Sequence, residues 1–261
     1  MPPFYLGTRR GLIYSRKRSV GLSSPLEVSG CVLWHDANQI TGLNDGDKVS
    51  QWDDLSVNLS HATQAAAANK PLYKTGIING KPVVRFVGAT PCWLLQPLNI
   101  NGAKTVFMVF KLTTLPGAAT TTPLNTKHTT PSLSEILFTQ IGGYTEITFR
   151  DDITGSALSV GFSPGINTSP HIFVKTYNGV ASSNPTSYTA RYDKAAATVI
   201  ASGSLNRTLT NKGAVGARVS STDVPGSAYN GDIAEIIIYS SVLAGVDQLA
   251  VETYLANKYS L

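Results

Sequence analysis

Few of the residues that most often build catalytic or metal chemistry are present in this 261-residue sequence. Its two cysteines, Cys31 and Cys92, sit 61 positions apart in no CxxC or other metal-ligand spacing, which gives no zinc site and no disulfide framework. Two buried thiols are expected, and a single disulfide stays open if the protein works outside a reducing compartment. No apolar run approaches the ~18 residues needed to cross a bilayer. MPPFYLGTRR lacks the apolar segment that follows the charges of a secretory signal, so neither a membrane span nor conventional secretion is expected. Without a secretory route, the sequons at Asn58, Asn167 and Asn206 are chance matches. Charged residues make up only 14 % of the chain, against 42 % hydrophobic residues, 23 glycines and 14 prolines. That is a packed globular composition rich in turns, far from a disordered one.

Acid is missing altogether before Glu27, while RRGLIYSRKRS between Arg9 and Ser19 holds five positive charges. Removing Arg9, Arg10, Arg16, Lys17 and Arg18 leaves 16 basic residues against 16 acids, so the remaining chain is formally neutral. Pro2, Pro3, Gly7, Gly11, Gly21 and Pro25 break the same region, and its apolar residues follow no period. Residues 1–26 are read as an extended basic arm, and residues 27–261 as one domain of a size that β-sandwiches commonly reach.

From Cys31 onward short β-rich runs alternate with turn chemistry. The predicted strands cover 31–37, 49–56, 82–87, 93–96, 105–112, 134–140, 145–150, 157–162, 170–177, 186–193, 197–203 and 232–240, separated by pairs such as Gly142-Gly143, Asn178-Gly179 and Asn230-Gly231. TVFMVFKL and AEIIIYS are almost continuously apolar, which places them as central strands covered on both faces. Only LAGVDQLAVETYLANKY (243–259) has helical periodicity. Leu243, Val246, Ala250, Val251, Tyr254 and Leu255 share one sector, with Gln248 and Glu252 opposite. The pattern predicts an all-β, two-sheet antiparallel sandwich closed by a C-terminal helix.

LWHDANQITGLNDGDKVSQWDDLSVN, GKPVVRFVG and the closing GDIAEIIIYSSVLAGVDQLAVETYLANKYSL together resemble the laminin-G-like branch of the concanavalin A-like lectin/glucanase superfamily. Related L-W-x-D-A, W-x-D-x-S-x-N, G-x-P-V-V-R-F and G-x-I-A-E-I-x-I-Y segments occur in phage particle proteins and bacterial surface proteins. The resemblance spans roughly residues 31–261 and is specific at the two ends. It implies a jelly-roll whose first and last strands lie close together, in a fold that hosts glycan binding, calcium sites or plain interaction surfaces.

The glycan-cleaving members of that superfamily share an E-x-D-x-x-E strand, which sets an acid and a nucleophile about 5 Å apart. This chain has no such triplet, and Asp232 and Glu235, three apart on a strand, are expected on opposite faces. Gly161-Phe162-Ser163-Pro164-Gly165 fits G-x-S-x-G, but Pro164 lacks the N–H that an oxyanion hole would take from the residue after the serine. It is read as a turn, and no catalytic residue is assigned. The four histidines show no metal spacing, and His35 is expected to be structural. Hard-cation ligands are more plentiful, and if Ca2+ binds, Asp54 and Asp232 are the candidate ligands, against turn and capping roles for the same acids. Trp93, Tyr144 and Tyr188 lie near predicted turns and are the candidate glycan platform, while Trp34 and Trp52 belong to the core.

The arm interleaves Phe4, Tyr5, Leu12, Ile13 and Tyr14 with Arg9, Arg10, Arg16, Lys17 and Arg18, a mixture suited to ordering on a partner surface. Nucleic acid is not favoured, because the body is neutral and carries no recognised module. A membrane is not favoured either, with three apolar residues in the basic run and no lipidation motif. The expectation is a non-catalytic virion protein of a bacteriophage, assembled in the host cytoplasm as a capsid decoration or fibre component. The arm would bind other virion proteins, and the sandwich would be displayed, with cell-surface glycans and self-association as further partners. A free carbohydrate-binding or adhesion protein and a glycoside hydrolase are the rival expectations.

Overall fold

A computed structural model describes residues 21–98, 102–115, 121–125, 134–141, 144–150, 157–161, 165–179, 188–196, 198–201, 213–219 and 225–261. Its strands are, in chain order, β1 (Cys31–Asp36), β2 (Gln51–Trp52), β3 (Ala62–Thr63), β4 (Leu72–Gly76), β5 (Gly80–Phe86), β6 (Leu94–Gln96) and β7 (Lys104–Leu112). There follow β8 (Thr121–Asn125), β9 (Ser134–Ile141), β10 (Tyr144–Arg150), β11 (Ala157–Gly161), β12 (Pro170–Tyr177), β13 (Tyr188–Tyr192), β14 (Ala195–Ala196) and β15 (Thr198–Ala201). The last are β16 (Gly213–Val215), β17 (Arg218–Val219), β18 (Pro225–Gly226) and β19 (Gly231–Tyr239), before the helix α1 (Gly245–Tyr259).

Two antiparallel sheets form the expected sandwich. The first runs β14-β13-β12-β7-β19-β5-β4 with β1 also paired to β19, and the second runs β15-β11-β10-β9-β8-β16-β6-β3-β2. β7 pairs with β19 along the whole strand, while the other edge of β19 is shared, with β5 opposite Gly231–Ile233 and β1 opposite Glu235–Tyr239. The first and last strands are therefore neighbours. Alternation along the central strands sends Val106, Met108, Phe110, Ile233, Ile236 and Ile238 into the core between the sheets, against Leu94, Leu124, Phe138 and Val215. It sends Phe107, Val109, Ala234, Ile237 and Tyr239 outward beneath Val251, Tyr254, Leu255 and Tyr259 of α1. The near-continuous apolar runs are thus covered on both faces, as predicted.

The packed body begins before β1. Ser24 caps a 3₁₀ turn over Pro25–Glu27 with a capping box, Leu22 and Val28 join the outer core, and the Tyr239 hydroxyl donates to the Pro25 carbonyl at 2.8 Å. Residues 1–20 lie outside the described region. Gly216 is required where it stands: its φ is +90°, and an added Cβ would lie 2.0 Å from the Phe86 ring.

Two expectations need correction at this level. β19 carries a bulge, because Ile233 pairs with Phe110 and Glu235 pairs with Val109, leaving Ala234 extra. Asp232 and Glu235 consequently both point outward, on one face. On α1, Val246 is 69 % exposed and Glu252 only 3 % exposed, so the buried sector is rotated from the one hydrophobicity suggests.

Candidate functional site

The motif ends that carry the family resemblance meet in one buried polar cluster. Glu235, placed outward by the bulge, accepts from Trp34 Nε1 at 2.7 Å, Tyr254 OH at 3.1 Å, Tyr259 OH at 2.9 Å and Lys258 Nζ at 2.7 Å. Lys258 also donates to Asp36 Oδ2 at 2.6 Å, and Asn38 donates to Asp36 Oδ1 through both its backbone N–H and its side-chain amide. Burial, and then the Asp36 charge, push the Glu235 carboxyl above its ordinary range, although Lys258 and the tyrosine hydroxyls oppose this. Asn79 ties the far end of the helix by donating to the Tyr259 carbonyl at 2.7 Å. The W-x-D start, the A-E-I strand and the N-K-Y finish therefore clip the first strand, the last strand and α1 together. Glu235, Tyr254, Lys258 and Tyr259 line neither of the two cavities described below, and only Asp36 reaches the edge of one.

The two aspartates named as candidate calcium ligands are both engaged by protein donors. Asp54 is buried, and accepts from the backbone N–H groups of Trp34, Ser56 and Ser60 and from the Ser56 hydroxyl at 2.8–2.9 Å. It organises the 53–60 loop against β1. Asp232 forms a bidentate pair with Arg85, at 2.6 and 2.9 Å, and the hydrogen bond raises the already high pKa of the guanidinium. The two acids are held by separate protein donors, and no group of three or more metal-type ligands occurs among the described residues.

Behind Asp54 lies His35, fully buried and stacked on Trp52 at 5.3 Å. Gln96 uses its carbonyl for the Leu98 N–H, so its amide nitrogen donates to His35 Nε2 at 2.6 Å, and the network assigns the proton to Nδ1, which donates to the Asp53 carbonyl at 2.8 Å. Burial pushes the ring down to about 4. The expected structural histidine is found. A polar cavity of about 150 Å³ next to it is lined by residues from 36–43 and 50–53, among them Asp36, Gln39, Thr41, Gln51 and Asp53.

Of the expected glycan platform, Trp93 is corrected: it is 7 % exposed, packed with Ala214, Ala217 and Val219 on the outer side of the second sheet. Being next to a turn in sequence did not keep it in solvent. Tyr144 and Tyr188 begin β10 and β13, and their side chains lie outside the described set, as do Ser163 and Pro164. Phe4, Tyr5, Arg9, Arg10, Leu12, Ile13, Tyr14, Arg16, Lys17 and Arg18 also lie outside it. Trp52 is in the core, as expected, whereas Trp34 is only half-buried and spends its indole N–H on Glu235. Cys31 and Cys92 are both free and buried.

Sequence reasoning missed a second outer-face assembly. Asp193 and Lys194 form the two-residue turn between β13 and β14, with φ of +47° and +68°. Asp193 accepts from the Ile172 N–H at 2.9 Å and faces His171 Nδ1 at 2.6 Å, which folds the turn onto β12. Arg191 reaches across to α1 and grips Glu252 bidentately at 2.8 Å and Gln248 at 3.0 Å. This is why Glu252 is buried. Between the turn and the helix lies a cavity of about 260 Å³, lined by Pro170, Ile172, Asp193, Lys194, Glu252, Ala256 and Leu261. Asp193-Lys194 lacks the glycine that usually marks a two-residue hairpin, so the turn left only a weak signal in the sequence.

No protein-family model and no curated protein matches the sequence. Solved structures do match its shape. The binding domain of a serotype D/C botulinum neurotoxin has a TM-score of 0.52 at 10 % identity, over 90 % of this chain and 53 % of that one. A botulinum neurotoxin type C structure, whose cell entry depends on interaction with two ganglioside molecules, has 0.53 at 11 %, over 88 % and 51 %. Trypanosoma rangeli sialidase, bound to a difluoro sugar acid, has 0.55 at 12 %, over 89 % and 33 %. The chain spans about half of the toxin domains and about a third of the sialidase. At these identities the likeness shows the fold alone, an antiparallel β-sandwich.

Proposed function

We propose that the protein is a non-catalytic, glycan-recognising display module of the laminin-G-like kind, fixed to a bacteriophage virion through its basic N-terminal arm. The observation that carries the non-catalytic part is the employment of the buried acids. Asp36 and Glu235 answer Lys258, Asp232 answers Arg85, Glu252 answers Arg191, and Asp54 is consumed by backbone donors. Most glycosidases set two carboxyl groups across an open substrate site, whereas the strongest partners of these five acids belong to the sandwich and its helix. Glycan recognition is supported by the lectin-like fold that the chain shares with ganglioside-dependent toxin domains and a sialidase. Attachment to a particle is supported by the confinement of the net charge to residues 9–18.

Three measurements test the reading. Deleting residues 1–20, which spares the packed turn at Pro25, is expected to abolish co-sedimentation with phage particles and to leave glycan binding on an array intact. A truncated protein that still co-sediments fully refutes the anchor. Release of new reducing ends from a bound polysaccharide refutes the non-catalytic assignment.

A further inference from the structure

The cavity between the β13–β14 turn and α1 combines three features that the packing of the sandwich does not need. The first is a strained backbone. Two-residue hairpins with both central residues at positive φ favour glycine at the second position, and each side chain held there costs roughly 1 kcal/mol; here that position is Lys194, at φ +68°. The second is charge. Glu252 is answered by Arg191, and Asp193 by the Ile172 N–H and the His171 ring, while Lys194 has no partner among the described residues. The third is shape. Ile172, Ala256 and Pro170 supply an apolar floor beneath a rim of two carboxylates and one ammonium, in about 260 Å³. That lies just under the ~300 Å³ at which drug-sized pockets begin, room for one ring rather than a chain.

From this we infer that the cavity is a subsite for a single carboxylate-bearing pyranose, such as a hexuronic acid residue of an acidic glycan. Lys194 pairs with the sugar carboxylate, and the lone pairs left on Asp193 and Glu252 accept from ring hydroxyls. Ile172 and Ala256 take the apolar C–H face of the ring. The same chemistry discriminates: a neutral hexose keeps the floor and the hydroxyl acceptors but leaves the ammonium unanswered. The assignment rests on the glycan-recognising reading and adds to it a site and a ligand class.

The test is titration of the full chain with methyl glucuronide and with methyl glucoside, followed by amide chemical shifts and calorimetry. The expected result is shifts at Asp193, Lys194 and Ala256 with glucuronide, at least tenfold weaker binding of glucoside, and weakening of the glucuronide complex as salt is raised. Lys194→Gly suits the left-handed backbone, so it is expected to fold at least as well as the wild type while losing glucuronide binding tenfold or more. Ala256→Leu fills the floor and is expected to weaken both sugars. Glucuronide binding that survives both substitutions overturns the inference, and so does the absence of any shift at the turn. A glycan array separates the two failures. An extended glycan bound equally by wild type and Lys194→Gly refutes this subsite and leaves the glycan-recognising reading standing. No glycan bound by either protein refutes both.

Discussion

Replacing Lys258 with methionine removes the single cation that Asp36 and Glu235 share, while keeping the length of the stem that crosses the Tyr254 and Tyr259 rings. Both carboxylates are buried, so the loss is of the costly kind, about 3–5 kcal/mol for an orphaned buried ion pair. The surroundings decide where in that range it falls. Glu235 keeps Trp34 Nε1 and two tyrosine hydroxyls, and Asp36 keeps both donors of Asn38, so the lower end applies, about 3 kcal/mol. For a domain of this size that is a melting temperature lowered by roughly 6–12 °C. Urea unfolding at pH 7 measures it as a lowered midpoint at unchanged slope.

The pH dependence supplies a second readout. Glu235 already has a folded-state pKa above its unfolded 4.5, so the native state binds a proton more readily than the unfolded chain. Stability from this group is greatest below 4.5 and falls as pH rises through the folded value. Without Lys258 that raised value moves higher still. The difference between variant and wild type is therefore expected to shrink on acidification, and subtracting the two curves cancels titrations common to both. Adding Glu235→Gln to the variant removes the like-charge pair and is expected to recover part of the loss. A deficit under about 1 kcal/mol, or one that grows on acidification, refutes the view that this cluster clips the helix to the sheet.

Gly216→Ala forces a methyl to within 2.0 Å of the Phe86 ring at a φ of +90°, and is expected to cost more than about 3 kcal/mol, part of which Phe86→Leu restores in a thermal melt. The His35 ring, pushed down to about 4 by burial, is protonated in the unfolded chain before the folded one. Its contribution is complete above 6.5 and is lost as pH falls toward 4, by roughly 3 kcal/mol, and His35→Gln is expected to flatten that limb of a stability–pH curve. Burial pushes the Cys31 thiol up to about 12 and raises Cys92 as well. A thiol reagent at pH 8 is therefore expected to modify neither in the native protein and both in urea, and prompt native labelling would contradict their burial.

Strands were legible where apolar content and β-branching ran together, as in TVFMVFKL, PHIFVKTY and AEIIIYS, because such runs carry their burial within themselves. The strands that were missed depend on their neighbours. Leu72–Gly76 lies at a sheet edge, where polar residues suffice, and Thr121–Asn125 contains Pro123, which reads as a breaker but sits where the register with β9 shifts between Thr121 and Leu124. The common face of Asp232 and Glu235 could not follow from a period of two, since one extra residue in β19 reverses the parity. Glu252 reads as a solvent residue until Arg191, 61 positions earlier, is brought beside it. The acids of the W-x-D and A-E-I segments were visible as motif residues, but their joint partner Lys258 was not. A salt bridge across more than 200 positions leaves no local trace.

The strand at the middle of the first sheet comes after all three of its partners in the chain. Until residues 231–239 leave the ribosome, Lys104–Leu112, Gly80–Phe86 and Cys31–Asp36 lack the neighbour that all three share, and the edge of Lys104–Leu112 is apolar on both faces. Taken out of the strand order, β19 would leave β7 and β5 without the link between them. Residues 231–261 bring that link together with the helix that covers it and the Glu235 and Lys258 that pin it in place. Closure of the first sheet therefore waits on a segment that follows most of the sandwich in the chain.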